Sequence, residues 1–216
     1  IVNGNLGTVE KRLAEAIAGA AGEVAEGRWD DHFPIDVFQT GSGTSWNMNA
    51  NEVIANRANE ILGYPLGRRE PVHPNDHVNR GQSSNDSIPT AIHVANRAEM
   101  PALVAAVRRL SKSFAAKATA FAEIVKIGRT HLQDAVPMTL GQEFEGYAAQ
   151  MEKAALRLER TLPNLEELAL GGTAVGTGLN AHPGFAESVI GGIAEETSIP
   201  FRQADSLFEA IANRDA

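Results

Sequence analysis

The chain has 216 residues, of which 43% are hydrophobic, so it is long enough for one or two domains with a buried core. Its formal charge of −8 argues against nucleic acid and anionic membranes as partners, and no apolar run is long enough to cross a bilayer. It contains no cysteine, which excludes disulfides and thiolate metal sites, and together with the lack of a signal peptide this predicts a reducing, cytoplasmic location.

The first part of the chain alternates predicted helices with polar loops. Apolar residues at helical spacing predict a helix over 6–26, followed by a short extended segment, 33–38. The glycine-flanked loop 40–45 suits an anion or a tight turn equally well. A second helix is predicted over about 47–62, in which several asparagines disfavour helix and are expected to make specific hydrogen bonds. These asparagines are Asn47, Asn49, Asn51 and Asn56.

Two long helical patterns dominate the middle of the chain. Residues 90–122 form the first, in which Pro101 is expected to kink the helix or to mark a join between two helices. After a stretch predicted to be irregular, 126–137, the second pattern opens with a capping box from Thr139 to Gln142 and carries the single apolar stripe of a bundle helix. Because strand signals are few, the predicted fold class is mainly α.

The last part of the chain holds a glycine-rich loop, 171–178, and a predicted helix over about 184–197. Residues 208–216 predict a further helix without a C-cap. The chain also begins inside a helical pattern and without methionine. We therefore expect both ends to be cuts in a longer protein.

The most polar stretch of the sequence, residues 72–86, lies just before the first long helix. Residues 83–86 are all of types that cap helix N-termini, and Pro89 suits a first helical turn. A helix N-terminus offers unpaired N–H groups and the positive end of the helix dipole, so it can hold a carboxylate or a phosphate. A well-capped helix after a surface turn explains the same residues equally well.

Three common kinds of site are not indicated. His, Asp and Glu do not fall at the i, i+4 spacing of a metal-binding helix, so no metal site is predicted. Neither a P-loop nor a Gly-x-Gly-x-x-Gly after a strand is present, which argues against nucleotide binding. Gly41-Ser-Gly-Thr-Ser45 lacks the spacing and the strand–turn–helix context of a nucleophile elbow, which argues against acyl transfer.

Six polar or glycine-rich segments stand out along the chain. They are Gly41-Ser-Gly-Thr-Ser45, Asn47-Met-Asn-Ala-Asn-Glu-Val-Ile-Ala55, His73-Pro-Asn-Asp76, Gln82-Ser-Ser-Asn-Asp86, Gly128-Arg-Thr-His-Leu-Gln-Asp-Ala135 and the glycine-rich stretch 171–180. In their order and spacing, these segments resemble class II fumarase, a member of the fumarase/aspartase superfamily. The nearest alternative is aspartate ammonia-lyase, which typically has glutamine at the position of His131, no histidine at that of His73 and threonine at that of Ser84. All three positions favour fumarase.

The resemblance implies the reversible anti elimination of water from (S)-malate to give fumarate in the tricarboxylic acid cycle, without a metal or an organic cofactor. It implies that His131 acts through water in acid–base catalysis. The implied substrate-binding residues are Ser42, Gly43, Thr44, Ser83, Ser84, Asn85 and Thr130. The implied second, peripheral anion site consists of His73, Pro74, Asn75 and Asp76.

The resemblance also implies a domain organisation. Residues 1–86 correspond to the C-terminal part of the family's N-terminal domain, and residues 87–216 to part of its central helical bundle. The family's C-terminal half would lie beyond Ala216 and carries the serine regarded as the base; the carboxylate partner expected for His131 also lies outside the 216 residues. In the family, three subunits of a homotetramer build each active site. A catalytically inert oligomerising fragment therefore remains an alternative to an active lyase.

Two residues depart from the family pattern. Trp46 stands where the family usually has a small residue, which leaves the local geometry of 42–44 open, and Glu70 stands where relatives often have a basic residue. Arg129 could pair with an acidic neighbour or with the substrate. The remaining histidines are interpreted as structural (His77 and His93) or as surface residues (His32 and His182).

Overall fold

The computed structural model describes residues 1–38 and 40–213 and is mainly helical, which confirms the predicted fold class. The helices are α1 Val2–Asn5, α2 Lys11–Ala25, α3 Thr44–Ile61, α4 Ser84–Ala120, α5 Leu140–Leu165, α6 Phe185–Thr197 and α7 Leu207–Ala212. The strands are β1 Val125–Thr130, β2 Gln133–Thr139, β3 Glu167–Leu168 and β4 Arg202–Gln203. A 3₁₀ turn, Asp30–His32, and a π-helical turn, Pro74–Val78, complete the regular structure of the described ranges. The last three residues of the helix predicted over 208–216 lie outside those ranges.

The chain divides into two compact units. Within the described residues, one comprises Ile1–Val94 together with residues 166–213, and the other comprises Ala95–Leu165. Helix α4 contributes residues to both units. The predicted domain boundary between residues 86 and 87 stays a prediction.

The first unit is built on close packing between α2 and α3. Small side chains allow the two helices to approach each other, and the buried residues between them are Ala16, Ala20, Ala55 and Ala58. Asn59 on α3 is also buried; its Oδ1 accepts a hydrogen bond from the N–H of Val72 at 2.8 Å, and its Nδ2 donates to the carbonyl of Val72 at 3.0 Å. These two bonds fix the end of the loop that leads from α3 to the polar stretch 72–86.

A second apolar cluster of the same unit supports the glycine-rich loop. It consists of Leu168, Leu170, Ile190 and Phe201, all buried, where β3 pairs in parallel with β4 and α6 packs beside them. The glycine-rich loop, which follows Leu170, is therefore anchored at its start by this packed apolar cluster.

The second unit consists of the C-terminal part of α4, the β1–β2 hairpin and α5. Arg108 on α4 makes two hydrogen bonds to Glu159 on α5, at 2.7 and 2.8 Å, and the hydroxyl of Ser111 donates to the carbonyl of Ala148 at 2.8 Å. The predicted capping box is confirmed, because Thr139 N–H donates to Gln142 Oε1 at 2.9 Å and Gln142 N–H to Thr139 Oγ1 at 3.1 Å.

The sequence predictions that differ from the structure include those for α4, for the segment 33–38 and for the stretch 126–137. Helix α4 begins at Ser84 rather than at residue 90 and runs without interruption through Pro101, so no join divides it. Within the segment 33–38, predicted to be extended, residues 37 and 38 form a turn, and residues 33–36 belong to no helix or strand. The stretch 126–137 is ordered as an antiparallel hairpin, in which Pro137 pairs with Ile127. Each strand of a two-stranded hairpin is an edge strand, which tolerates a proline that cannot donate a hydrogen bond.

None of the helices found in the described ranges is both long and apolar enough to cross a membrane.

Candidate functional site

The glycine-flanked loop before α3 forms a chain of hydroxyl groups. The Oγ of Ser42 lies 2.7 Å from Thr40 Oγ1 and 3.1 Å from Thr44 Oγ1, and the N–H of Ser42 donates to Thr40 Oγ1 at 3.2 Å. Thr44 is the first residue of α3, three residues earlier than the sequence predicted, so its hydroxyl stands at the positive end of the helix dipole. Ser42 and Thr44 are exposed and can reach a ligand.

Gly43 brings this loop against α4. Its φ of +67° is left-handed, and a Cβ at this position would lie 2.8 Å from Cγ2 of Ile88 on the first turns of α4. A residue larger than glycine therefore meets both the backbone cost of the left-handed region and a collision. The predicted site residue Gly43 is needed here for the close approach of two elements.

The N-terminus of α4 is capped by its own side chains. The N–H of Asn85 donates to Ser83 Oγ at 3.2 Å, and the N–H of Ser83 donates to Oδ1 of Asp86 at 2.8 Å. This arrangement is a variant of the capping box, in which the hydroxyl of Ser83 accepts from the second rather than the third helical residue and aspartate takes the acidic position. Ser83 and Ser84 are half-buried and Asn85 is exposed, at a second positive helix end.

Asn47 joins the two helix starts. Its Nδ2 donates to Ser84 Oγ at 2.9 Å, and its Oδ1 lies 3.4 Å from the hydroxyl oxygen of Ser87, which donates to the carbonyl of Ser83 at 2.7 Å. The structure thus brings together five of the predicted substrate-binding side chains, which we call the donor cluster. They are Ser42, Thr44, Ser83, Ser84 and Asn85. The expectation that asparagines of this helix make specific bonds is confirmed for Asn47 here, and Asn49 donates to the carbonyl of His32 at 2.9 Å.

The glycine-rich loop, residues 171–178, contacts the start of α4 through two side chains. Nδ2 of Asn85 donates to the carbonyl of Ala174 at 2.6 Å. Oδ2 of Asp86 accepts from the N–H of Thr173 at 2.8 Å and from that of Gly171 at 3.2 Å. Asp86 is fully buried, and this burial raises the pKa of its carboxyl above the ordinary value, against the opposite effect of its backbone hydrogen bonds. The sequence marked Asp86 only as a cap, because no local pattern reveals a partner 87 residues away.

Thr130 and His131 lie in the second unit, where the hairpin reverses direction. Thr130 pairs with Gln133, so His131 and Leu132 alone form the turn, with φ values of +47° and +62°. Two positive φ angles in a two-residue hairpin turn are typical of type I′, which usually requires Asn or Gly. His131 is exposed at the tip.

Two ion pairs stabilise this hairpin, one between its two strands and one between β1 and α5. Arg129 donates from Nε to Asp134 Oδ1 at 3.1 Å across the two strands, so it pairs with an acidic neighbour, one of the two possibilities left open by the sequence. Lys126 pairs with Glu143 at the start of α5, and this hydrogen bond, with a second from Tyr147, holds the pKa of the Glu143 carboxyl below its usual value.

The predicted second anion site forms the π-helical turn. Nδ1 of His73 accepts hydrogen bonds from the N–H groups of Asn75 and Asp76, both at 3.2 Å, and the N–H of His73 donates to Nδ1 of His77 at 2.8 Å. Because Nδ1 of His73 accepts, a neutral ring carries its proton on Nε2. Pro74 is buried, whereas Asn75 and Asp76 are exposed.

The remaining aromatic and histidine residues have structural partners or surface positions. Trp46 stacks on Phe33, with ring centroids 6.4 Å apart and an interplanar angle of 15°, and the hydroxyl chain next to it is intact. His93 Nδ1 lies 2.8 Å from the carbonyl of Glu167, in agreement with a structural role. His32 and His182 are exposed, as predicted. Glu70 is exposed too, and the adjacent Arg69 pairs with Glu52.

Across residues 1–38 and 40–213, no group of three or more His, Cys, Asp or Glu side chains is arranged to hold a metal ion.

The chain is similar to known proteins over nearly its whole length. The family model described as lyase matches residues 2–216. The chain is 61% identical to a class II fumarate hydratase of Halobacterium salinarum over 99% of its length, and 58% identical to that of Thermus thermophilus over 99%. Among solved structures, it is similar to the recombinant class II fumarase of Schistosoma mansoni, with a TM-score of 0.83 and 41% identity over 97% of the chain.

The same comparisons show how much of these relatives the chain represents. It spans 46% of the Halobacterium salinarum and Thermus thermophilus sequences and 47% of the Schistosoma mansoni structure. The chain thus covers about half the length of the curated relatives that it matches.

Proposed function

The chain belongs to the lyase family, and we propose that it is part of a class II fumarase, in which its donor cluster binds a carboxylate of fumarate and (S)-malate during their reversible interconversion. The observation that carries the proposal is that contacts of Asn47 and Gly43 bring the N-termini of α3 and α4 together, so that hydroxyl and amide donors are concentrated at one place. In a chain with a formal charge of −8, a dianionic substrate needs such a local concentration of donors.

The chemistry explains why neutral donors suit this reaction. Removing the proton next to a carboxylate places a second negative charge on that group, giving an aci-carboxylate intermediate. Donors that are already oriented stabilise this charge as it develops, and such preorganised stabilisation is usually the largest contribution to rate. Ser42, Thr44 and Ser84 supply hydroxyls, and the starts of α3 and α4 supply their dipoles.

His131 is proposed to move the proton at the leaving or adding hydroxyl through a water molecule, with Thr130 as a further donor to the substrate. The hairpin turn supports this role, because it holds the imidazole at an exposed tip beside Thr130. The base that takes the proton from carbon is proposed to come from the part of the family's chain that the 216 residues do not cover.

A second, peripheral anion site is proposed at His73, Pro74, Asn75 and Asp76. The backbone N–H groups of Asn75 and Asp76 are already bonded to Nδ1 of His73, so the donors left to an anion are Nε2 of that ring and the side-chain amide of Asn75. The site would therefore depend on these two side chains more than on the turn's backbone.

We propose a homotetramer with shared active sites, in which 1–86 belong to the N-terminal domain and 87–216 to the central bundle. Large apolar side chains on the long helices support it, because they remain exposed in the single chain. Examples are Leu103 (48% exposed) and Leu110 (44%) on α4, and Leu156 (41%) on α5. The proposed setting is the tricarboxylic acid cycle in the cytoplasm, and no metal or organic cofactor is required.

The decisive experiment measures fumarate hydration by the full-length protein, as the loss of fumarate's ultraviolet absorbance. Turnover of fumarate and malate is expected, and its absence would refute the proposal. Ammonia release from aspartate is measured in parallel, and turnover of aspartate alone would assign the protein to the ammonia-lyases instead.

The 216-residue segment is assayed by itself as a second arm. We expect no activity, because the segment corresponds to 46% of its relatives and their remaining half would supply the base. Activity of the isolated segment would show that the missing half is not required.

A further inference from the structure

We propose that Asp86 is a positioning residue for the donor cluster, and that it acts by holding the glycine-rich loop, residues 171–178, against the N-terminus of α4. The inference rests on the proposed function, since it concerns how the donors for the substrate carboxylate are kept in place. It assigns a role to a residue and to a loop that take no direct part in the reaction.

The carboxylate of Asp86 links two segments, the N-terminus of α4 and the glycine-rich loop. Oδ1 accepts from the N–H of Ser83, the cap of α4, and Oδ2 accepts from the N–H groups of Gly171 and Thr173. Asp86 is 0% exposed, so no water replaces these bonds if they are lost. Removing an acceptor would leave buried N–H groups unsatisfied, which is costly.

Position 86 requires a carboxylate because three backbone N–H groups donate to its side chain. Its two oxygens only accept, and three N–H groups face them. In asparagine one oxygen becomes an NH₂ group, which is a donor. Asp86→Asn therefore keeps the volume and brings a donor against at least one of the N–H groups.

The bond from Asn85 shows how the loop reaches a substrate-binding residue. One hydrogen of its side-chain amide is donated to the carbonyl of Ala174. An amide has two hydrogens, so the second one remains for a substrate oxygen. The position of that second hydrogen depends on where the glycine-rich loop lies, and Asp86 is the adjacent residue that fixes the loop.

The loop is packed rather than free to move away. A Cβ on Gly171 would lie 2.5 Å from Cβ of Ala186, and a Cβ on Gly176 would lie 2.8 Å from Cδ1 of Phe208. Thr173 is buried as well and has a left-handed φ of +54°. Such a loop is suited to act as a fixed support, and a change on either side of the Asp86 contact should displace the same donors.

The test compares two variants that disturb the contact from opposite sides. In the full-length protein, Asp86→Asn removes an acceptor, and Gly178→Ala strains the loop, because Gly178 has a φ of +70° and its Cβ would lie 3.1 Å from the carbonyl oxygen of Gly171. Both variants are expected to raise KM for fumarate and malate about tenfold or more, the loss that follows when a charged substrate group loses one well-placed hydrogen bond. Loss of folded protein alone would lower the apparent kcat and leave KM unchanged.

Matched controls separate positioning from general stability. Asn59→Ala removes another buried side chain that makes two backbone bonds, and Gly63→Ala puts alanine at a φ of +83° with no atom within 4 Å of its Cβ. Both controls are expected to lower the unfolding midpoint with KM within twofold of wild type. A similar rise of KM in the controls would overturn the inference.

A readout that needs no activity keeps the two proposals apart. Hydrogen exchange of the Gly171 and Thr173 amides is expected to become at least tenfold faster in Asp86→Asn than in wild type. If wild type fails to hydrate fumarate, the proposed function fails while exchange still tests the contact. If wild type is active and folded Asp86→Asn shows wild-type KM and exchange, the role of Asp86 is refuted.

Discussion

Replacing Gly43 by alanine is expected to separate the two halves of the donor cluster. The substitution adds one methyl group where the loop before α3 meets α4. That methyl would lie 2.8 Å from Cγ2, 3.0 Å from Cγ1 and 3.2 Å from Cδ1 of Ile88. At such distances either the loop or the Ile88 side chain has to shift.

The size of the effect has two parts. Alanine in the left-handed region at a φ of +67° costs about 1–2 kcal/mol, and overpacking against Ile88 costs about 1–3 kcal/mol. Together they predict a loss of about 2–5 kcal/mol in the free energy of unfolding. Because a displacement of about 1 Å in a substrate-positioning group can reduce the rate 10²-fold, we also expect kcat/KM of the folded enzyme to fall by about tenfold to a hundredfold.

The assay is a double-mutant cycle with Gly43→Ala and Ile88→Ala, measured by urea unfolding and by fumarate hydration. Ile88→Ala removes the atoms in collision, so the double variant is expected to be less destabilised than the sum of the two single variants, by about 1–3 kcal/mol. Gly63→Ala measures the backbone cost alone, because its Cβ meets no atom within 4 Å. Additivity within about 0.5 kcal/mol would refute the collision, and a Gly43→Ala variant with wild-type kcat/KM would refute the role of this contact in positioning.

Three further predictions concern the hairpin, α2 and α5. His131→Asn in the full-length protein should lower kcat by about 10²–10⁴ with little change in KM, because asparagine tolerates the left-handed turn but cannot replace the imidazole in proton transfer. Hydrogen bonds from Arg57 and Trp29 lower the pKa of Glu23 from 4.5 to about 2 in the folded state, so the ionised carboxylate stabilises the fold above pH 4.5 and this stabilisation is lost as the pH falls to about 2. Glu23→Gln should therefore lower the free energy of unfolding fully above pH 4.5 and by a decreasing amount between pH 4.5 and about pH 2. Urea unfolding as a function of pH measures this difference. Thr139→Ala should cost about 1 kcal/mol in urea unfolding, because it removes the N-cap oxygen of α5.

Each of these three predictions has a control variant or an outcome that would contradict it. Near-normal turnover by His131→Asn would exclude the acid–base role. Glu15→Gln changes an exposed glutamate on the same helix as Glu23, and an identical pH dependence in both variants would contradict the Arg57 contact as the cause. Thr139→Ser retains the hydroxyl and should recover most of the stability lost in Thr139→Ala.

The parts of the fold that the sequence predicted well depend on local patterns. The capping box at Thr139 and the apolar stripe of α5 are set by residues within a few turns of each other, and both are found in the structure. The hairpin over 125–139 was missed, because its turn residues, His131 and Leu132, are not turn-forming types. Cross-strand pairing overrides that local preference.

In the candidate site, too, some features follow from local sequence and others only from the tertiary structure. The sequence by itself determined the residue types, the helix starts that cap themselves and the family resemblance, because these depend on side-chain chemistry and on short spacing. Only the tertiary structure decided that Asn47 reaches Ser84 and that Gly43 lies against Ile88. It also decided that Asp86 is a buried link to the glycine-rich loop rather than only a cap. These contacts join residues that are 37 to 87 positions apart, and such distances are closed by packing of apolar side chains, which leaves no local trace in the sequence.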